Sequence, residues 1–149
     1  MSTITKQIDV AQPIRTVYDQ WTQFEAFPQF MEGVEQVRQL DDRRLEWKVE
    51  LGGAEREFSA EISDQIPDQL VAWRAVGDTG HSGRVTFDKV DEESTRVHLE
   101  MEYEPEGFAE KAGDKLGIVE RRVSGDLQRF KDYIESRDRE SGAWRGEIH

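Results

Sequence analysis

Arg44-Leu45-Glu46-Trp47-Lys48-Val49-Glu50-Leu51-Gly52-Gly53-Ala54-Glu55-Arg56-Glu57-Phe58-Ser59-Ala60-Glu61-Ile62 is the stretch whose reading decides the fold. Leu45, Trp47, Val49 and Leu51 fall on one side of an extended chain, and Glu46, Lys48 and Glu50 fall on the other. That is the two-residue period of a strand with one wet face. Phe58, Ala60 and Ile62 alternate in the same way against Glu57, Ser59 and Glu61. Gly52-Gly53 separates the runs and supplies the positive φ that a type I′ hairpin turn needs at both central positions. The stretch therefore reads as an antiparallel hairpin with one apolar face, which must be covered by something else in the chain.

Working outward, the same period recurs. Ile4, Ile8 and Val10 alternate in a first strand, and Val34 to Leu40 forms a second before the hairpin. After it come Leu70 to Val76, the run through Val85 and Phe87, and the run Val97, Leu99, Met101, Tyr103. Pro67-Asp68, Gly77-Asp78-Thr79-Gly80 and Asp91-Glu92-Glu93 punctuate them as turns. Seven strands are expected. Between the first and second, Pro13 opens a short helix in which Ile14, Val17, Tyr18 and Trp21 share one face. Phe24, Phe27, Phe30 and Met31 then crowd around Pro28 as a bent apolar plug or second short helix.

Beyond Pro105 the period becomes helical: Leu116, Val119, Val123, Leu127, Phe130 and Ile134 form a stripe with steps of three and four. Gly113, Gly117 and Gly125 each weaken this helix by about 1 kcal/mol relative to alanine, so packing on the sheet must hold it. Residues 1–136 read as a single domain and residues 137–149 as a polar tail with Trp144 and Ile148 as apolar handles. The result is an α+β domain with a mostly antiparallel sheet.

Composition narrows the partners. The 149 residues carry 32 acidic against 20 basic side chains, a net charge of -12. That charge repels nucleic-acid phosphates and anionic membrane surfaces. At 36% hydrophobic and 35% charged, the chain has no stretch approaching the ~20 apolar residues of a bilayer-spanning helix. Neither nucleic-acid binding nor stable membrane insertion is expected. Cysteine is absent, which excludes disulfides and thiolate chemistry. The polar start, Met1 to Gln7, has no apolar core of a secretion signal, so a cytoplasmic location is expected.

Catalytic signatures are scarce. His81, His98 and His149 stand at no recognised metal spacing, so no metal is expected. His98 alternates outward with Glu100 and Glu102, a solvated face. No nucleophile elbow, phosphate-binding loop or dinucleotide fingerprint occurs, and no cofactor is expected.

The order of strand, short helices, six strands and long helix resembles the helix-grip superfamily of START, Bet v 1-like and polyketide cyclase/dehydrase-like (SRPBCC) proteins. The local likeness lies in Pro13 with Val17-Tyr18, Phe27-Pro28-Gln29-Phe30-Met31-Glu32-Gly33-Val34, Trp73, Gly83-Arg84-Val85-Thr86-Phe87 and Arg129-Phe130-Lys131. The resemblance spans residues 3 to 136. It implies a curved seven-stranded antiparallel sheet wrapped around the long C-terminal helix, with two short helices after strand 1. It further implies a cavity between sheet and helix for a lipid-, quinone- or polyketide-like molecule. Phe27, Phe30, Trp47, Phe58, Trp73, Phe87, Met101 and Phe130 are the expected apolar contacts. The bland alternative is a solid core filled by Trp47, Phe58, Trp73, Val85, Phe87, Leu99, Met101, Leu127 and Phe130. Strand parity adds a polar end: Arg56, His81 and Tyr103 all count inward and all fall at one end of the sheet, where they suit a ligand's polar head or proton transfer. Three functions remain open: a binder of a hydrophobic small molecule, an aromatase/cyclase or dehydratase, and a protein-binding module with a vestigial cavity.

Overall fold

Each alternating run becomes a strand, because each has one face to bury and one to leave in water. The computed structural model describes residues 2–31, 34–51, 54–76, 81–103, 115–137, 145, 146 and 148. The strands are β1 (Ser2–Val10), β2 (Val34–Gln39), β3 (Arg44–Leu51), β4 (Ala54–Ile66), β5 (Leu70–Val76), β6 (His81–Asp91) and β7 (Ser94–Tyr103). They form one antiparallel sheet in the order β1-β7-β6-β5-β4-β3-β2. Six strands thus follow one another as a meander, and β1 closes onto the last of them. This is the expected curled, helix-grip sheet. The glycine turns at 52–53 and 77–80 lie outside the described residues.

Helix α1 (Ile14–Trp21) starts directly after Pro13, and a 3₁₀ turn over Phe24–Gln29 holds Pro28. The plug is therefore a second short helical piece, bent by its proline. The long helix α2 runs over Lys115–Arg137. Of its apolar stripe, Leu127 is 4% exposed and Phe130 and Ile134 are 0%, while Val123 is half-buried. The backbone of Gly117 is helical, whereas Gly113 lies outside the described residues.

The C-terminal half of α2 is fastened to the end of β1. Lys131 Nζ donates to the Asp9 carbonyl at 2.8 Å, the Ala11 N–H donates to Glu135 Oε2 at 2.7 Å, and Gln12 Nε2 donates to the Ile134 carbonyl at 3.2 Å. Around it the core is aromatic. Phe130 meets Trp21 with ring centroids 4.9 Å apart and Phe30 at 5.3 Å, both edge to face. Phe87 receives Tyr18 at 5.4 Å and Trp21 at 6.4 Å.

A register shift between Ile62 and Asp64 bends β4 and reverses its parity. Gln65 consequently turns into the core, where its Nε2 donates to the Tyr18 hydroxyl at 3.2 Å. Burial raises the pKa of that phenol, outweighing the Gln65 hydrogen bond and the nearby Arg145. The same place holds a difference from the expected polar tail. Ile148 is 4% exposed and exchanges backbone hydrogen bonds with Gln65 at 2.7 and 2.9 Å. Arg145 pairs with Asp19, which is 1% exposed, and reaches Asp68 Oδ2 at 2.8 Å. Asp68 sits at φ 61 in the β4–β5 turn. A buried carboxylate needs a cation, and the end of the chain supplies it.

Candidate functional site

The packing of α2 on the sheet changes along its length. Toward the C-terminal end, α1 and its aromatic residues fill the space. Beneath Arg122, Val123, Asp126 and Leu127 a cavity of about 170 Å³ remains between helix and sheet. Trp21, Phe24 and Phe27 close one side, and Val123 and Leu127 of α2 roof it. The floor comes from alternate residues of four strands: Leu45, Trp47 and Val49 of β3; Phe58 and Ile62 of β4; Val71 and Trp73 of β5; Leu99 and Met101 of β7. Trp47 and Phe58 are a directly opposed cross-strand pair, stacked within 8° of parallel at 6.0 Å, and Phe27 adds a tilted contact to Trp47 at 5.6 Å. Trp73 lies over Gly83, its partner across β5 and β6, where a larger residue would collide with the indole. A glycine there lets the ring lie down on the sheet and keeps it from standing in the cavity.

Five of the expected apolar contacts, Phe27, Trp47, Phe58, Trp73 and Met101, line this cavity. Phe30, Phe87 and Phe130 do not. They are 3%, 4% and 0% exposed and belong to the packed aromatic core beside it. The cause is simple: all three point inward, but Trp21, Tyr18 and Tyr133 sit directly against them. Cavity and solid core thus coexist, the cavity under residues 122–127 and the packed core beside it toward the helix C-terminus.

The expected polar end is described only by its backbone. Arg56 pairs with Val49, and His81 with Tyr103, so the three positions share the end of the sheet toward which the cavity lies. Their side chains fall outside the described residues.

The polar groups in the cavity wall are Glu50, Arg122 and Asp126. Asp126 is engaged by Arg129, whose Nε donates to the Phe30 carbonyl at 3.0 Å. Glu50 is exposed at the rim. Arg122 is half-buried and has no hydrogen-bond or ion-pair partner among the described residues. Sequence reading missed it, because an arginine beside the apolar stripe reads as solvated surface. One further donor is unsatisfied: the Nε1–H of Trp47 is buried without an acceptor among the described residues. Among those residues no group of His, Asp and Glu side chains could share a metal ion, and no helix is long and apolar enough to cross a membrane.

A curled seven-stranded antiparallel sheet packed against a long C-terminal helix, with an apolar, aromatic-walled cavity between them, is the helix-grip architecture. Residues 10–132 match the family described as polyketide cyclase/dehydrase and lipid transport, and the chain belongs to that family. It is 48% identical over 149 residues to an uncharacterized 17.2 kDa protein of Streptomyces lincolnensis from the melC2-rnhH intergenic region, covering 99% of both chains. Its fold is similar to that of the ZhuI aromatase/cyclase from Streptomyces sp. R1128, with a TM-score of 0.78 at 19% identity over 96% of this chain and 99% of that one. It is also similar to a START superfamily protein from Mycobacterium smegmatis, with a TM-score of 0.69 at 16% identity over 91% and 95% of the two chains.

Proposed function

We propose that this protein binds a small hydrophobic, ring-containing molecule in the cavity beneath residues 122–127 of α2. The carrying observation is the cavity itself, about 170 Å³ of space walled by Phe27, Trp47, Phe58, Trp73 and Met101 in a domain whose other half is tightly packed. Protein interiors are ordinarily filled to crystal density, so an aromatic-walled void of this size loses packing energy that a ligand restores. An engineered apolar cavity of about 150 Å³ takes up benzene. The space here therefore suits one ring or two fused rings, and longer molecules require the plug or helix to yield. Arg56, His81 and Tyr103 remain proposed polar contacts, from the place of their backbones opposite Val49 and beyond Met101.

The test uses naphthalene as probe and calorimetry as readout. Wild-type protein binds it, and Leu99→Trp, which fills the space from the β7 side, abolishes binding while preserving a cooperative melt. Binding that is unchanged in the filled variant would refute the site. A second reading, ring closure or dehydration of a polyketide-like chain, is supported by the family and by the likeness to an aromatase/cyclase. It predicts a new aromatic product when the protein is incubated with a poly-β-ketone thioester, and release of unchanged thioester would exclude it.

A further inference from the structure

Arg122 is the group that the apolar reading leaves unused. It belongs to the wall of the cavity, is half-buried, and has no acceptor among the described residues. A partly desolvated guanidinium carries five donors and cannot neutralise itself by losing a proton. The nearby acids do not answer it. Asp126 is held by Arg129 on the same helix face, and Glu50 is exposed at the rim, where water screens it. In the same wall the buried Nε1–H of Trp47 also has no acceptor among the described residues. A half-buried charged donor and a buried N–H without an acceptor, in a wall whose other polar groups are the engaged Asp126 and the rim Glu50, describe the complement of an oxygen-bearing anion.

We propose that the ligand is a compact aromatic or apolar acid, its anionic oxygen taken by Arg122 and its ring or chain by the cavity. The inference rests on the cavity reading above and adds the charge and the size of the molecule. About 170 Å³ admits a one- or two-ring acid. The overall charge of -12 disfavours an anion at long range. At physiological salt that repulsion is screened beyond about 8 Å, which leaves the local arginine to decide.

The experiment compares 2-naphthoate with 2-acetonaphthone, its uncharged methyl ketone of nearly the same shape, by calorimetry. Wild-type protein prefers the acid. Arg122→Gln weakens the acid about tenfold or more, the scale of a lost hydrogen bond to a charged group, and leaves the ketone unchanged. Arg122→Lys restores part of the preference. Equal affinity of wild type for both probes, or an equal loss of both in Arg122→Gln, overturns the anionic assignment and leaves the cavity standing. Failure of wild type to bind either probe overturns both.

Discussion

Gly83→Ala adds a single methyl group and tests the architecture of the cavity floor. An ideal Cβ at position 83 would stand 2.6 Å from Cη2 and 2.9 Å from Cε2 of Trp73, with a third ring carbon nearer still. Carbon atoms in good contact lie about 3.5–4.0 Å apart, so the indole must move by roughly 1 Å. Two effects oppose each other. Replacing a glycine whose backbone tolerates a side chain gains about 0.4–1 kcal/mol from the unfolded state. Overpacking costs about 1–3 kcal/mol. The net expectation is a loss of about 0.5–2 kcal/mol, which in a chain of this size lowers Tm by about 2–6 °C.

The direction of escape matters more than the cost. The sheet lies beneath the indole and the cavity above it, so the ring tips into the cavity and takes ligand space. A ring–ring contact contributes about 0.5–1.5 kcal/mol beyond its buried area, so losing one weakens naphthalene about two- to tenfold. Calorimetric melting and ligand titration in a double-mutant cycle with Trp73→Ala isolate the mechanism. With the indole removed, Gly83→Ala becomes neutral or slightly stabilising. The same loss of stability in both backgrounds would refute the reasoning, because the clash would then not involve Trp73.

Two further perturbations address the ends of the molecule. Arg145→Ala strips a buried Asp19 of its nearest cation and costs about 3 kcal/mol, the low end for a broken buried pair because Arg15 remains 3.7 Å away. Denaturant unfolding checks it, and adding Asp19→Asn should recover most of the loss. Partial burial pushes the Glu135 carboxyl up, but the Ala11 N–H and the Lys131 ammonium outweigh it and hold its pKa below 4.5. Glu135→Gln is therefore destabilising at pH 7, by up to about 1 kcal/mol for a pair so near the surface. The gap to wild type begins to close as pH falls below about 4.5, where the unfolded carboxyl takes up its proton, and is lost once pH falls through the lower native pKa. A gap that does not narrow in acid would contradict that linkage.

The strands were legible because each has a wet face: Glu46, Lys48 and Glu50 mark the outside of β3 as surely as Trp47 marks the inside. The long helix was legible from Leu127, Phe130 and Ile134 for the same reason. Parity, however, states only that a side chain points inward. It does not say whether the space opposite is filled. Phe87 and Phe58 look alike in sequence, yet α1 lays Tyr18 and Trp21 against the first, while the second borders a void. That distinction depends on where a short helix docks, a tertiary fact without a local signature. Gln65 was hidden by the bulge after Ile62, which flips the parity without any glycine or proline to announce it. Arg145 and Ile148 were hidden by the polar residues around them. Their partners, Asp19 and Gln65, are too distant in sequence for spacing to suggest a contact.

The sheet order also sets a schedule for the newborn chain. β1 is made first, yet the strand beside it is β7, the last to be made. The strands from β2 to β7 can each zip onto the one before as they emerge, while the N-terminal segment waits with both edges bare. Unpaired edges invite pairing with another chain. Thr3, Thr5, Gln7 and Asp9, exposed in the finished sheet, keep one face of that waiting segment hydrophilic throughout. When β7 arrives, the Asp9–Arg96 ion pair lies at the far end of the register from Ser2 and Tyr103. Of the seven strands, β1 cannot be paired in the sheet before β7 is made, and the same segment carries the anchor at Asp9 and Ala11 that the long helix grips.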